Sequence, residues 1–424
     1  MTFEAEPAPR LTQGLLATGT LFVLAACLGY HLGGTPPPTL HPLRPGGPEL
    51  RVEIAPGPAR EVALSINGNF TLSALRSLPS PGESRPAHFH DRGTILVRAE
   101  LRNLRVLRPG GPADGEAFPD RLRIRGATLR YPGRREPIWG AVEVERTGPE
   151  TLEAVVVVDL ETYLQGVLLP EMGARFPLEA LKAQAVAARS YALARRLDTR
   201  RAERDRVLRR SDLDQVYRPE EPVPEAIRIA VDATRGEVLG TLASPIPAYY
   251  HSTCGGATRD AAPHFDPTSP IRGAPCPYCR ASRYFRWERR YPLDGLIRAL
   301  APAARIAPPI TAFQIEPDTS GRAVTVRVTH AGGVARIGGD AFRSLINRHL
   351  ATSREEQLLS TRLDALELDP SQPLVQVRGR GWGHGVGMCQ MGAAGMAREG
   401  HDYRRILAHY YAGLPVNRLW GDLP

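Results

Sequence analysis

The sequence predicts an α+β fold with a mixed β-sheet core and packed helices. Between residues 50 and 165, apolar and polar residues alternate in short runs rich in β-branched side chains, as in half-buried strands. An Asn-Gly pair at 67–68 supplies a hairpin turn. Over residues 177–197 the apolar residues instead recur every three or four positions, which predicts an alanine-rich helix. Strands and helices therefore occupy different parts of the chain, which is typical of this class.

The chain of 424 residues divides into four expected parts. Residues 1–33 form an N-terminal membrane anchor or lipoprotein signal, and residues 34–49 a Pro/Gly-rich linker. Residues 50–150 form a β-rich part. Residues 151–415 form the core, with further helices predicted over 225–235, 291–302 and 339–350.

The N-terminal segment predicts export and membrane attachment. Residues 14–33 are apolar and almost uncharged, and about 20 such residues suffice to cross a bilayer as a helix. Two interpretations remain open. The segment is either an uncleaved signal anchor or a lipoprotein signal, in which the cysteine of "LAAC", Cys27, is lipidated. Both predict a membrane-anchored protein that faces the periplasm or cell wall.

The charge balance favours an anionic partner. Lysine and arginine total 54 against 45 acidic residues, a formal net charge of +9. Nucleic acid, a membrane surface and a cell-wall polymer all suit such a surface. Because helix-turn-helix spacing, RNP-like aromatic motifs and zinc-finger repeats are missing from the sequence, nucleic acid is excluded as the expected partner.

Two pairs of residues have the spacing of metal ligands. His251 and Cys254 form H-x2-C, and Cys276 and Cys279 form C-x2-C. Four such ligands suit a closed tetrahedral zinc site, which would be structural because no position is left for water. A disulfide, either Cys276–Cys279 or Cys254 with one of these, is the alternative, and His264 is an alternative fourth ligand.

Alternating glycines from 379 to 387 form the second notable segment. Glycine at this density allows positive φ and close backbone approach, so a ligand such as a sugar ring could lie against the bare face. Trp382 and His384 would project from the other positions. Cys389 with His384 could suggest a thiol nucleophile, but packing among the neighbouring methionines is the favoured role for this cysteine.

The segment "LLPEMGARFPLEALKAQAVAARSYALARR" at 168–196 places Glu171 ahead of the predicted helix. From the pattern alone Glu171 is a loop carboxylate near a helix N-terminus, where the dipole favours its charge. A general acid would need a partly desolvated pocket instead. Lys182 and Arg189 are seven residues apart on one helix face. They either contact an anionic substrate group or form solvated surface.

Several longer motifs resemble the stage II sporulation protein D (SpoIID/LytB) family. They are "ETYLQGVLLPEM" with the helix that follows, "DQVY" at 214–217, "AVDATRGEVL" at 230–239, "YYHSTCGGAT" at 249–258 and the glycine-rich stretch 379–413. The similarity runs from about residue 50 to 415, in the family's order. It implies a SpoIID-like catalytic domain and a lytic transglycosylase that cuts peptidoglycan strands stripped of stem peptides.

The resemblance also assigns roles to residues. The acid of the family's P-x-E-M segment falls on Glu171, and Gln215 and Tyr217 of "DQVY" match positions lining the family's groove. Ser252 in "YYHSTC" joins Lys182, Arg189, Trp382 and His384 as expected substrate contacts. Zinc, known in some members, would be structural, and catalysis would need no cofactor.

The implied reaction uses one carboxyl group as acid and then as base, and yields a 1,6-anhydro-N-acetylmuramic acid end. The competing class is a binding module, an enhancer that binds glycan without cutting it and stimulates a cell-wall amidase. A third class, a zinc hydrolase, predicts that chelation abolishes activity without unfolding the protein.

Overall fold

The computed structural model describes residues 47–421 apart from 54–57, 76–85, 127–128, 131–136, 199–206, 210–213, 220–221, 242, 263 and 370. The expected anchor with Cys27 and nearly all of the linker lie outside this range. No helix within the described residues is both long and apolar enough to cross a bilayer.

An antiparallel sheet of eight strands forms the N-terminal part of the described chain. Its order is β1-β8-β7-β6-β2-β3-β4-β5. Its apolar side chains include Leu64, Ile95 and Ile124, which are fully buried. The boundary expected at residue 150 falls in the β7–β8 turn, so β8 belongs to this sheet. The strands are β1 (Glu49–Glu53), β2 (Glu61–Ala74), β3 (Ala87–Ala99), β4 (Leu104–Leu107), β5 (Glu116–Phe118), β6 (Arg121–Gly126), β7 (Ala141–Gly148) and β8 (Thr151–Asp159).

Three helices pack together after this sheet. They are α1 (Leu160–Glu171), α2 (Leu178–Leu197) and α3 (Glu225–Ala233). α1 begins directly after β8, where the Asp159 side chain caps it by accepting from Thr162 N–H at 3.0 Å. α2 is buried along most of its length because its alanines allow close packing on its neighbours. The predicted helices over 177–197 and 225–235 are confirmed, whereas α1 was not expected.

Residues 287–379 build a second apolar core. Two three-stranded sheets, β11-β16-β15 and β12-β13-β14, enclose it with α4 and α5. Val326, Val377 and Phe342 are fully buried there. The elements are β11 (Trp287–Pro292), α4 (Leu293–Leu300), β12 (Ile310–Pro317), β13 (Ala323–His330), β14 (Gly333–Gly338), α5 (Gly339–His349), β15 (Leu363–Leu368) and β16 (Leu374–Gly379).

Two short strand pairs bring the C-terminal region back to the helices. β10 (Tyr250–His251) runs parallel to β17 (Met388–Cys389), and β9 (Glu237–Leu239) pairs with β18 (Val416–Arg418). The helices α6 (Gln390–Arg398) and α7 (Tyr403–Tyr410) lie between β17 and β18 and contact α2. The described chain is thus an α+β structure with mixed sheets.

Candidate active site

Glu171 is the last residue of α1, and not a loop residue ahead of α2 as expected. Pro170, one residue earlier, has no N–H to donate to the carbonyl of Gly166. That carbonyl instead accepts from Arg218 N–H at 2.8 Å. This bond holds the segment 214–218 against the end of α1, beside the carboxyl group.

Two chain segments hold the carboxyl group of Glu171. Val216 N–H donates to Oε1 at 2.9 Å, and the side-chain amide of Gln390 donates to Oε2 at 3.4 Å. These bonds stabilise a negative charge, whereas the C-terminal end of a helix destabilises it. The carboxyl group therefore has a defined orientation. Its two hydrogen bonds favour the ionised form, whereas its position at the end of α1 disfavours that form.

A groove of about 1810 Å³ opens in front of this carboxyl group. Among the residues predicted to act on a substrate, Glu171, Ser252, Trp382 and His384 line it. Tyr250, which we did not predict, also lines it. Its place beside the predicted His251 and Ser252 is the sequence signal that could have identified it.

Gln215 and Tyr217 lie behind the groove, which corrects their expected role as groove contacts. Gln215 is fully buried; its Oε1 accepts from the Tyr163 hydroxyl at 3.1 Å, and its Nε2 donates to the Tyr250 hydroxyl at 2.9 Å and to Ala188 O at 3.2 Å. Tyr217 is buried and stacks on Tyr163 with ring centroids 5.0 Å apart. Both residues support the groove wall without reaching a ligand.

The tyrosines next to the carboxyl group are neutral. Burial raises the pKa of Tyr163 and of Tyr250 well above the usual value, and the charge of Glu171 raises each further. Since Gln215 donates to the oxygen of Tyr250, the proton of that hydroxyl remains to be donated elsewhere.

Lys182 and Arg189 do not line the groove either, so their predicted substrate contacts are corrected. Arg189 is fully buried and forms a two-pronged ion pair with Glu161, at 3.0 and 2.7 Å. Lys182 pairs with Glu179 at 2.7 Å. Neither the substrate interpretation nor the solvated-surface interpretation fits Arg189, whose role is to hold α2 against α1.

Asp214, the first residue of "DQVY", is a second carboxylate near the groove, and its oxygens are committed to other partners. Its Oδ1 lies 2.9 Å from Arg195 Nε and accepts from the Tyr191 hydroxyl at 2.7 Å. Arg209 N–H donates to its other oxygen at 2.9 Å. An ion-paired carboxylate of this kind suits the groove wall better than a second acid–base role.

The alternating glycines serve close packing of the protein on itself. Gly381, Gly383, Gly385 and Gly387 all have positive φ. A Cβ on Gly385 would lie 2.1 Å from the Arg322 guanidinium, and one on Gly387 would lie 2.0 Å from Tyr249 O. The bare face expected to receive a sugar is therefore covered by other parts of the chain.

Trp382 and His384, which lie between these glycines, do line the groove. His384 Nε2 donates to Tyr250 O at 2.9 Å, and Val386 N–H donates to Nδ1 at 3.1 Å, which fixes the tautomer. Burial lowers the pKa of His384 to about 3, so the ring is neutral. Trp382 packs edge-on against Tyr284 with centroids 4.6 Å apart.

Four buried cysteines converge beside the groove. Their sulfurs lie within 4.8 Å of one another, and none is in a disulfide. The set is Cys254, Cys276, Cys279 and Cys389. Cys389 was not among the predicted ligands, because it lies next to His251 only through the parallel β10–β17 pairing.

His251 lies outside this group, which corrects its prediction as the fourth ligand. Its Nδ1 donates to Val386 O at 3.1 Å, and burial lowers its pKa well below the usual value. His264, the alternative ligand, is also outside the group. Cys389, taken from the sequence as a packing residue, occupies the fourth position.

The donor set fits a structural zinc ion. Zinc–thiolate bonds of about 2.3 Å imply sulfurs roughly 3.8 Å apart around a tetrahedron, and Cys254 and Cys279 Sγ are 3.5 Å apart. Cys254 and Gly392 N–H both donate to Cys389 Sγ, at 3.2 and 3.3 Å. Such bonds stabilise thiolate charge and orient the ligands. Four protein ligands would leave no open position for catalysis.

The fold and groove define an α+β protein that holds a glutamic acid between two chain segments in an open cleft. A family model described as stage II sporulation protein matches residues 149–240, which include Glu171 and "DQVY". An uncharacterised protein of Brachyspira hyodysenteriae is 33% identical over 278 residues, covering 63% of this chain and 69% of that protein.

Two named relatives extend this similarity. Stage II sporulation protein D of Bacillus amyloliquefaciens is 28% identical over 292 residues, covering 65% of this chain and 78% of that protein. The protein of the same name from Bacillus subtilis is 27% identical over 296 residues, covering 65% and 79%. The chain belongs to the stage II sporulation protein D family, which has a cell-wall-related role and is associated with peptidoglycan-degrading activity.

Proposed function

We propose that this protein is a lytic transglycosylase of peptidoglycan, with Glu171 as its acid and base. The observation that supports this most directly is the placement of Glu171. Its carboxyl group is held by Val216 N–H and the Gln390 amide inside a groove large enough for several sugar units. The substrate is the glycan strand without stem peptides.

The first step breaks the bond between C1 of N-acetylmuramic acid and O4 of N-acetylglucosamine. Protonated Glu171 donates its proton to O4, which leaves as a hydroxyl. Positive charge develops at C1, where the acetamido oxygen of the same sugar stabilises it. The neutral hydroxyl of Tyr250, on the groove wall, would donate a hydrogen bond to the leaving O4, which carries partial negative charge as the bond breaks.

The second step returns the proton. Glu171, now ionised and still held by Val216 and Gln390, accepts the proton of the C6 hydroxyl of the muramic residue. O6 then bonds to C1 and closes the 1,6-anhydro ring, so no water is consumed. Because one group serves both steps, the ion-paired Asp214 needs no chemical role.

The cysteine cluster and the N-terminus complete the proposal. The four thiolates hold a structural zinc ion that ties the groove wall together and takes no part in the reaction. Residues 14–33 keep the protein at the membrane, either as a signal anchor or through lipidated Cys27. The core then lies on the side of the membrane that faces the cell wall.

Product chemistry tests the proposed reaction. Full-length protein is incubated with denuded glycan strands, and the products are analysed by mass spectrometry for anhydromuramic ends, which are one water lighter than hydrolysed ends. We expect anhydro ends from the wild type and a loss of about a thousandfold or more in rate from Glu171→Gln. Glu225→Gln, on the exposed start of α3, is the matched control and should retain full activity.

Other outcomes would point elsewhere. Binding of glycan without any cut by the wild type, together with stimulation of a cell-wall amidase, would replace this proposal with the enhancer function. Anhydro ends formed equally by Glu171→Gln would refute the assignment of the acid.

A further inference from the structure

One wall of the groove is a loop held by its own hydrogen bonds. The Phe265 loop, residues 264–271, is anchored where Ala261 N–H donates to Ile271 O at 3.0 Å, and both of these residues are fully buried. At its tip, Asp266 Oδ1 accepts from the N–H and the hydroxyl of Thr268, at 2.9 and 2.7 Å. These bonds give the loop a defined shape without help from a ligand.

The loop presents an aromatic ring to the groove. Phe265 lines the groove and is 46% exposed. Its ring stacks on Tyr249, with centroids 4.5 Å apart and planes 18° apart, and His384 meets it edge-on at 5.1 Å. Among the described residues, the other large apolar side chains with comparable exposure are aliphatic. They are Leu101, Leu178, Ile229, Val324 and Val334.

The support beneath Phe265 is rigid. The carbonyl of Tyr249 accepts from the Tyr411 hydroxyl at 2.7 Å, and Tyr411 is buried. His384 is fixed by bonds at both ring nitrogens. An exposed aromatic ring that its neighbours hold in place inside a polar groove is a common feature of ligand sites. Its apolar face stays in contact with water, which is unfavourable, until a ligand covers it.

We propose that Phe265 and Tyr249 form a hexopyranose subsite in the groove, with Phe265 as the stacking surface for one sugar ring of the glycan. The axial C–H groups of a pyranose form an apolar, slightly positive face that fits the negative face of an aromatic ring. The loop and Glu171 line the same groove, so a strand stacked on Phe265 is held in register with the acid. This inference rests on the proposed glycan substrate.

Binding measurements separate this subsite from the chemistry. Glycan affinity is measured by calorimetry with full-length Glu171→Gln protein, so that strands are not cut, and then with Phe265→Leu and Phe265→Tyr added. Leucine preserves an apolar loop anchor but not a flat ring, whereas tyrosine preserves the ring. We expect affinity about three- to tenfold weaker with Phe265→Leu and within about twofold of the parent with Phe265→Tyr.

Leu101→Ala is the matched control, because Leu101 is 69% exposed and lies outside the groove. It should bind glycan as the parent does. In the active enzyme, Phe265→Leu should raise KM and leave kcat unchanged, because the ring touches substrate away from the breaking bond.

Two results would overturn the subsite. One is equal affinity of Phe265→Leu and the parent; the other is equal loss with leucine and tyrosine, which would indicate a role in loop structure. Absence of glycan binding by the Glu171→Gln parent would overturn both this inference and the proposed function, so the two failures are distinguishable.

Discussion

Replacement of Arg189 by methionine tests whether this residue is structural or contacts the substrate. The side chain is fully buried between α1 and α2. It donates twice to Glu161 and once to Glu237 O at 3.0 Å. Methionine fills a similar volume but removes the charge and all of these donors.

The expected cost follows from what remains around Glu161. Its carboxylate, in a residue only 2% exposed, keeps the N–H of Gly236 at 3.1 Å and the indole N–H of Trp420 at 2.9 Å. Breaking a buried ion pair from one side typically costs about 3–5 kcal/mol. Because two donors remain, we expect a loss near the lower end, about 3 kcal/mol in the free energy of unfolding.

Thermal and chemical unfolding measure this effect. The melting temperature of Arg189→Met should fall by about 3–5 °C, and adding Glu161→Gln should recover part of the loss because no unpaired charge then remains buried. The matched control is Arg228→Met. That arginine is 55% exposed, with carboxylates 3.7 and 3.9 Å away, and an exposed pair of this kind contributes under about 1 kcal/mol.

Glycan affinity decides between the two roles. At a temperature where Arg189→Met is folded, it should bind glycan as the wild type does. Unchanged stability with markedly weaker glycan binding would refute the structural assignment and return Arg189 to the substrate site.

Two further predictions concern the metal site and acid stability. Cys389→Ser should lower zinc affinity by more than about tenfold, whereas His251→Asn should retain zinc, as measured by metal content after dialysis; the reverse pattern would reinstate the histidine as a ligand. Because the pKa of buried His384 falls to about 3 on folding, the unfolded state binds its proton first, and stability decreases as pH drops below about 6.5. Between pH 6.5 and 5 the wild type should lose about 2 kcal/mol more than His384→Asn in urea unfolding, and parallel loss in both proteins would contradict the neutral assignment.

The sequence predicted elements with strong periodicity and missed those shaped by distant contacts. The alanine-rich helix α2 was identifiable because its apolar face repeats every three to four residues. α1 was not, since a valine-rich strand runs directly into it and Pro170 lies in its last turn, two features that suggest strand and loop. The Asp159 cap was the available signal.

The candidate site shows the same division. Glu171, Trp382 and His384 were recognisable from local motifs, and all three line the groove. Arg189 and Gln215 are fully buried and therefore cannot contact a substrate in the groove. Their burial depends on packing partners far along the chain, so neither a helical face nor a motif match could predict it. Cys389 is 135 residues from Cys254 in the sequence, and the pairing of β10 with β17 brings it into the thiol cluster.

The position of Cys389 in the chain links the thiol group to the support of Glu171. Cys254, Cys276 and Cys279 lie within one stretch of chain, but their group is completed only by Cys389, and the next residue, Gln390, is the amide partner of Glu171. Residues 389 and 390 therefore complete both the thiol group and the second hydrogen bond to Glu171, near the C-terminal end of the described chain. A chain that ended before residue 389 would lack both the fourth thiol and the Gln390 amide, and of the two bonds described only the one from Val216 N–H would still hold the Glu171 carboxyl group.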